Sequence, residues 1–185
     1  MMSTICAEQI LAYHAAPCLA GIKPANLISF PGSLGDLCTT YNQLLNTSDI
    51  FLSQLCTCKA RQQILIYRKS LLEEYFFQQD VYDALHFFGF TPEQGLDSCI
   101  ALLKAKMACQ LHFPHEIGLF LGYPVQDVFA YMKTGGQACL FCGYWKVYSE
   151  PERARQLFHQ YTECKERFAL QIKSGMSIAE IINAA

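Results

Sequence analysis

The sequence predicts an α+β fold, in which helices pack on a small mixed or antiparallel sheet of about four strands. The chain has 185 residues, of which 52% are hydrophobic and 16% are charged, so it can bury one sizeable core. The spacing of its apolar residues changes between helical and strand-like periods along the chain. No linker, repeat or low-complexity stretch interrupts this pattern, and residues 1–185 are therefore expected to form a single domain.

The first part of the chain predicts a short helix at residues 8–13. The apolar run at residues 18–23 ends before Pro24, which indicates a buried strand that leads into a helix. Because proline is favoured at the first helical position, residues 25–30 are predicted to be helical. The apolar face at residues 34–46 predicts a further helix.

A β-hairpin is predicted next, from the alternation at residues 49–56 and the β-branched segment at residues 61–68. Helices follow at residues 70–77 and 80–88. The sequence TPEQ, which begins at Thr91, is typical of a capping box that opens a helix to about residue 110.

The second half contains the segment FPHEIGLFLGYPVQDVFAYMK, which predicts two short helices around Gly122. The stretch CLFCGYWKVY, residues 139–148, is predicted to be the last strand. SEPE at residues 149–152 opens a helix to about residue 173, and a short terminal helix begins at Ser177.

Bulk properties exclude several classes of partner. The net charge is −2 and no basic face is evident, so a nucleic-acid partner is not expected. No apolar run reaches the ~18–20 residues of a membrane span, and the N-terminus lacks the charged start of a signal peptide. We therefore expect a cytoplasmic protein without a membrane partner, whose ten cysteines are mostly reduced thiols.

The pair Cys139 and Cys142 supplies half of a zinc site, and Cys56 and Cys58 could supply the other half. The alternative is that all four are thiols without a metal, and we predict that no metal is bound there.

His115 and Glu116 begin an H-E-x-x-H pattern, but Leu119 replaces the second histidine. The same segment has helix-turn-helix spacing, yet its second helix offers few donors to DNA, which favours a packed helical hairpin.

Two cations stand at the ends of predicted strands. Lys23 at a strand-to-helix junction could bind an anion, or could simply end a buried strand. Arg68 could clamp a carboxylate or phosphate, or could form an ordinary surface pair. No phosphate-binding or hydrolase motif occurs, and the sequence leaves the cofactor unknown.

Four long segments of the sequence are informative when taken together: HAAPCLAGIKPANLISF, ILIYRKSLL, FPHEIGLFLGYPVQDV and CGYWKVYSEPERARQLF. They resemble a family of small proteins from anaerobic, clostridial-type bacteria, the domain of unknown function DUF3793. The resemblance implies no activity, but implies a link to iron or redox physiology. It implies recurring polar positions at His14, Lys23, Asn26, Arg68, His115, Glu116 and Lys146. Cys139 departs from the family pattern, which weakens a metal role.

Alternation along the last strand sends Tyr144, Lys146 and Tyr148 to one face, which could form the floor of a pocket. We expect Lys23, Asn26, Arg68, Lys146, Tyr144 and Tyr148 to bind the ligand, and His14, His115 and Glu116 to be candidates for proton transfer. The heads of Lys23, Arg68 and Lys146 are predicted to approach one cavity.

Three functions are compatible with these features. The first is binding of a small molecule or anion, with or without catalysis, in the iron or redox physiology of an anaerobe. The second is a non-catalytic interaction or regulatory role with a protein partner that the sequence does not specify. The third is a metal or haem carrier that uses cysteine and histidine.

Overall fold

A computed structural model describes residues 4–31, 37–58, 61–109 and 113–184. Its elements are, in chain order, α1 (Thr4–Leu19), β1 (Ala25–Pro31), α2 (Leu37–Leu45), β2 (Ile50–Cys58), β3 (Arg61–Arg68), α3 (Lys69–Phe76), α4 (Gln79–Phe87), α5 (Leu96–Cys109), α6 (Ile117–Phe120), α7 (Val125–Thr134), β4 (Phe141–Cys142), β5 (Lys146–Val147), α8 (Pro151–Lys173) and α9 (Ile178–Asn183). The predicted α+β class is confirmed. No helix in these ranges combines the length and apolar character needed to cross a membrane.

The main sheet is antiparallel and has the strand order β1-β3-β2. Ile28 of β1 and Gln54 of β2 both face Ile64 of the central strand, and a bulge interrupts the β2–β3 register before Cys56. The apolar and aromatic residues Ile64–Tyr67 are buried on both faces, as expected for a central strand. The predicted hairpin is therefore confirmed, and β1 lies at an edge of the described sheet.

Helices cover both faces of this sheet. Side chains such as Ile28 and Ile66 pack with α1, α2, α8 and α9. Leu65 and Tyr67 point to the opposite face and pack with α3 to α7. A third, smaller core forms around Trp145 and Val147, where the β4–β5 ribbon meets α8.

The structure reverses the predicted assignments at residues 18–23 and 25–30. The Ala-rich run continues α1 to Leu19, and Gly21 ends the helix with a φ of 75°. The amide of Ile22 donates to the Pro17 carbonyl at 3.0 Å, in the pattern that commonly terminates helices. After Pro24 the chain is a strand, because Ile28 pairs with β3 and alternation buries it on one face. Proline here precedes a strand and not a helix.

Other boundaries differ less. Thr91 makes no side-chain cap; a 3-10 turn at Pro92–Gln94 comes first, and α5 starts only after Gly95. The helix predicted at residues 34–46 is α2, although residues 34–36 lie outside the described ranges. The predicted start at Ser177 is confirmed, since Ser177 and Glu180 form a reciprocal capping box.

The predicted last strand is instead a ribbon of two short strands. Phe141 pairs with Val147, and Cys142 pairs with Lys146. Gly143 permits the turn between them to lie against the ring of Phe158, where a Cβ atom would clash. The ribbon is separate from the main sheet, and it carries the aromatic segment toward α7 and α8.

Candidate functional site

The turn after α1 presents Lys23, and Arg68 holds this turn in place. The Arg68 side chain donates to the carbonyls of Cys18 at 3.0 Å, Leu19 at 2.5 Å and Ser48 at 3.2 Å. These carbonyls include two at the C-terminal end of α1, where a cation is favourable. Arg68 therefore stabilises backbone and is neither a surface pair nor part of the cavity lining described next.

A cavity of about 500 Å³ lies between this turn, β1, the α6–α7 hairpin and the β4–β5 ribbon. This volume is typical of small-molecule sites. Phe113 and His115 are exposed and line it, so the cavity reaches the surface on their side. Of the candidates that the sequence predicted, the structure brings five together in this lining: Lys23, Asn26, His115, Tyr144 and Lys146.

Two glycines allow the α6–α7 hairpin to close around the Lys23 turn. A Cβ atom on Gly118 would lie 2.8 Å from Cγ2 of Val128, and one on Gly122 would lie 2.8 Å from Cγ of Pro24. Gly122 also has a φ of 69°, which side chains rarely adopt. The segment LGYP thus serves close packing beside the cavity, as the helical-hairpin interpretation predicted.

Lys23 is the most unusual residue of the site, because it is a lysine with only 3% exposure. Its Nζ lies 5.2 Å from the ring centroid of Tyr123 and 5.8 Å from that of Tyr161. Within the described part of the chain, Nζ has neither a hydrogen-bond acceptor nor a carboxylate partner. Loss of hydration by burial lowers the pKa of Lys23 to about 8.

The groups nearest to this ammonium carry no negative charge at neutral pH. Burial raises the pKa of the Cys18 thiol to about 12, and it raises those of the Tyr123 and Tyr161 phenols to about 12 as well. Among the described residues, the positive charge of Lys23 is therefore stabilised by the faces of two aromatic rings, an interaction of ~1–2 kcal/mol. This is much less than the several kcal/mol that burial of an ion costs.

Asn26 is a second polar group in the lining without a full set of partners. It is 8% exposed, and its Oδ1 is buried without a donor among the described residues. An unsatisfied buried polar atom costs about 1–3 kcal/mol.

Lys146 is the second cation of the cavity; its Nζ donates to the Gly136 carbonyl at 2.6 Å and lies 5.8 Å from the ring of Tyr131. The ring of His115 packs edge-on against the same tyrosine.

Asp127 is the residue that the sequence analysis missed. Its buried carboxylate accepts from Trp145 Nε1 at 2.8 Å, from the amides of Tyr148 and Ser149 at 3.0 and 2.8 Å, and from Ser149 Oγ at 2.7 Å. These four hydrogen bonds tie the ribbon and the start of α8 to α7. The sequence offered one signal for this role, which is an acidic residue on the inner, otherwise apolar face of α7.

The aromatic segment of the ribbon forms one wall of the cavity. Trp145 stacks on Tyr123 with ring centroids 5.1 Å apart, and the Tyr123 hydroxyl donates to the Tyr144 carbonyl at 3.1 Å. Trp145 and Val147 are buried, whereas Tyr144, Lys146 and Tyr148 are half-buried, as the predicted alternation requires. Tyr148 lies beside the wall, where its hydroxyl accepts from Thr134 Oγ1 at 3.3 Å.

The remaining predicted candidates lie elsewhere. Glu116 is buried and forms an ion pair with Lys106 at 2.8 Å, which joins the start of α6 to α5. His14 is exposed on α1, where partial burial and the nearby Lys165 and Arg61 lower its pKa. Neither residue lines the cavity.

The cysteine candidates do not form a recognisable metal centre in the described residues. Cys142 is exposed on β4 and Cys139 is half-buried just before it, whereas Cys56 lies on β2 of the main sheet. The side chain of Cys58 lies outside the described part. Within that part, no three His, Cys, Asp or Glu residues are grouped closely enough to hold a metal ion.

A family model described as "Protein of unknown function (DUF3793)" matches residues 11–182. The chain belongs to this family. Searches of curated proteins and of solved structures found no match. The match includes each described residue that lines the cavity, so the site lies within the DUF3793 domain.

Replacement of Asp127 by Asn should destabilise the fold, because the amide that replaces one carboxylate oxygen cannot accept the hydrogen bonds made there. We expect a loss of about 2–4 kcal/mol in the free energy of unfolding, measured by urea denaturation. Asp83 is exposed on α4, and Asp83→Asn should change stability by less than about 0.5 kcal/mol. Equal effects of the two substitutions would show that Asp127 does not hold the ribbon.

Replacement of Lys23 by Met should stabilise the protein at pH 7. The folded-state pKa of about 8 lies below the ordinary value of 10.5, so the unfolded chain binds more protons between these two pH values. Wild-type stability attributable to Lys23 therefore rises from pH 8 to pH 10.5 and is lost as the pH falls through 8. Lys23→Met should be more stable by roughly 2–3 kcal/mol at pH 7, with a difference that shrinks toward pH 10.

Urea denaturation of both proteins across this pH range measures the difference directly. Lys173 is exposed at the end of α8, and Lys173→Met provides the matched control, because it removes a lysine that is not buried. A Lys23→Met variant that is less stable than wild type at every pH would contradict an uncompensated buried charge.

Proposed function

We propose that this DUF3793 chain binds a small organic anion in the cavity beside Lys23. The observation that carries the proposal is the buried Lys23 ammonium, which has no counter-charge among the described residues. Such a group lowers the stability of the folded chain, and stability is commonly lost where a site serves binding. A carboxylate placed at Nζ would supply both the missing charge and the missing hydrogen-bond acceptor.

The remaining lining favours a ligand with a flat, apolar body. Tyr123 and Trp145 form a stacked aromatic wall, with Leu121 and Val128 nearby. Lys146 adds a second positive charge. The only carboxylate among the described lining residues is Asp127, and four hydrogen bonds already occupy its oxygens.

Glu116 already forms an ion pair with Lys106. This disfavours acid–base chemistry at the His115–Glu116 pair, and we therefore favour ligand binding over catalysis. We place this activity in the cytoplasm, where exposed thiols such as Cys142 remain reduced. A role in iron or redox physiology would then come through the identity of the anion. Nothing in this proposal requires a nucleic-acid partner.

A protein-interaction role is the second candidate, and one surface feature favours it. Phe87 is 73% exposed and contacts Phe88 and Phe129, with ring centroids 5.1 and 5.3 Å away. Exposed aromatic groups of this kind are typical of contact surfaces. The cavity carries more specific chemistry, and we therefore favour anion binding.

Trp145, the only tryptophan of the chain, makes this proposal directly testable. Because it lines the cavity, its fluorescence should change saturably when benzoate is added at pH 7. The uncharged analogue benzamide should bind at least about tenfold more weakly, which corresponds to about 1.4 kcal/mol. Benzoate affinity should fall between pH 7 and pH 9, as Lys23 loses its proton.

Lys23→Met should abolish the benzoate response, and Lys173→Met should retain it. The fold of each variant is checked by circular dichroism. Equal affinity for benzoate and benzamide, or an unchanged response in Lys23→Met, would refute an anion site at Lys23.

A further inference from the structure

The Lys23 amine differs from the other partly buried lysines near the site. Lys106 donates to Glu116 and to the Phe88 carbonyl, both at 2.8 Å, and Lys146 donates to the Gly136 carbonyl. Each of these ammonium groups thus donates at least one proton to an acceptor. Lys23 has no such acceptor among the described residues, lines the cavity, and is held between two aromatic rings.

We propose that Lys23 is a nucleophile that forms a reversible imine with the carbonyl carbon of a small oxo acid bound in this cavity. The inference rests on the anion site proposed above and names the class of its ligand. An amine that donates to no acceptor can present its lone pair to a carbonyl group, and loss of hydration by burial disfavours its charged form. Buried lysines are known nucleophiles for this reason.

The reaction is balanced without an oxidant or a reductant. The nitrogen lone pair attacks the carbonyl carbon, a C–N bond forms, and the carbonyl oxygen takes up a proton while the nitrogen releases one. Loss of this hydroxyl as water, with the second nitrogen proton, breaks the C–O bond and leaves a C=N bond. The cavity reaches the surface beside Phe113 and His115, where water can leave.

The protonation state of Lys23 suits this chemistry. The titratable groups that face it are the Cys18 thiol and the Tyr123 and Tyr161 phenols, all of which stay neutral because burial raises their pKa values. With a pKa of about 8, the neutral fraction of Lys23 at pH 7 exceeds that of an ordinary lysine on the order of a hundredfold.

The other polar groups of the cavity indicate how the acid would be oriented. An imine at Lys23 no longer supplies a full ammonium for the carboxylate of the same ligand. Lys146 and His115 line the cavity as well and can hold that carboxylate, whereas Asp127 repels it. The ligand class is therefore a compact aldehyde or ketone that carries a carboxylate and an apolar body.

The test uses 4-carboxybenzaldehyde as the probe, which is benzoate with an added aldehyde. The full-length protein is incubated with the probe and sodium cyanoborohydride at pH 8, and peptide mass spectrometry locates the reduced adduct. Lys23 should carry at least about tenfold more adduct than any exposed lysine, in line with its larger neutral fraction. Excess benzoate should suppress this labelling without affecting exposed lysines.

Lys23→Met should lose the site-specific adduct, whereas Lys173→Met should keep it. Benzoate protection in the wild-type protein gives the same answer without any variant, so the test stands even if Lys23→Met does not fold. Adducts spread evenly over exposed lysines would overturn the imine. If labelling is not specific for Lys23 but the benzoate fluorescence response persists, the imine is refuted and the anion site stands. If the site-specific labelling and the benzoate response are both absent, the proposed anion-binding function is refuted together with the imine.

Discussion

Burial of the Lys23 side chain without a hydrogen-bond acceptor in the described residues is the constraint around which the site is arranged. A lysine side chain that is not confined would point its ammonium toward water, so the surrounding chain must keep the ammonium of Lys23 away from solvent. Arg68 fixes the carbonyls at the end of α1, and Gly122 lets the α6–α7 hairpin close onto Pro24. Tyr123 and Tyr161 then cover the ammonium. Together these elements hold one charged group beside the cavity, where solvation is poor.

The second support of the site is the Asp127 carboxylate. Its oxygens fix the indole of Trp145 and the backbone that follows it, so the short ribbon keeps a defined position with only two paired residues per strand. A two-stranded ribbon is marginal in isolation. Here a buried charged acceptor replaces the missing sheet neighbours, and one wall of the cavity depends on it.

The sequence could predict the elements whose pattern is local. The β-branched centre of β3, the hairpin and the helix start at Ser177 all follow from a few adjacent residues. The region around Pro24 could not be assigned this way, because proline suits both a helix start and the residue before a strand. Pairing of β1 with β3, which lies far along the chain, decides between the two.

The candidate site was predictable only in part, because its geometry also depends on contacts between residues that lie far apart in the sequence. Lys23 was selected as a cation at a helix N-terminus, yet it lies after the C-terminus of α1, so its importance comes from burial instead. Arg68 was selected as a ligand clamp, but the carbonyls that it binds belong to α1 and to the turn before β2. Asp127 gave little local signal, since its partners lie 18–22 residues away.

Nuclear magnetic resonance titration of the lysine side chains tests the central claim most directly. In protein labelled with ¹³C at the lysine Cε position, the resonance assigned to Lys23 through Lys23→Met should titrate near pH 8, well below the ordinary lysine value of 10.5. A Lys23 resonance that titrates above pH 10 would show a solvated or paired ammonium, and would contradict a cavity built around a buried cation without a counter-charge.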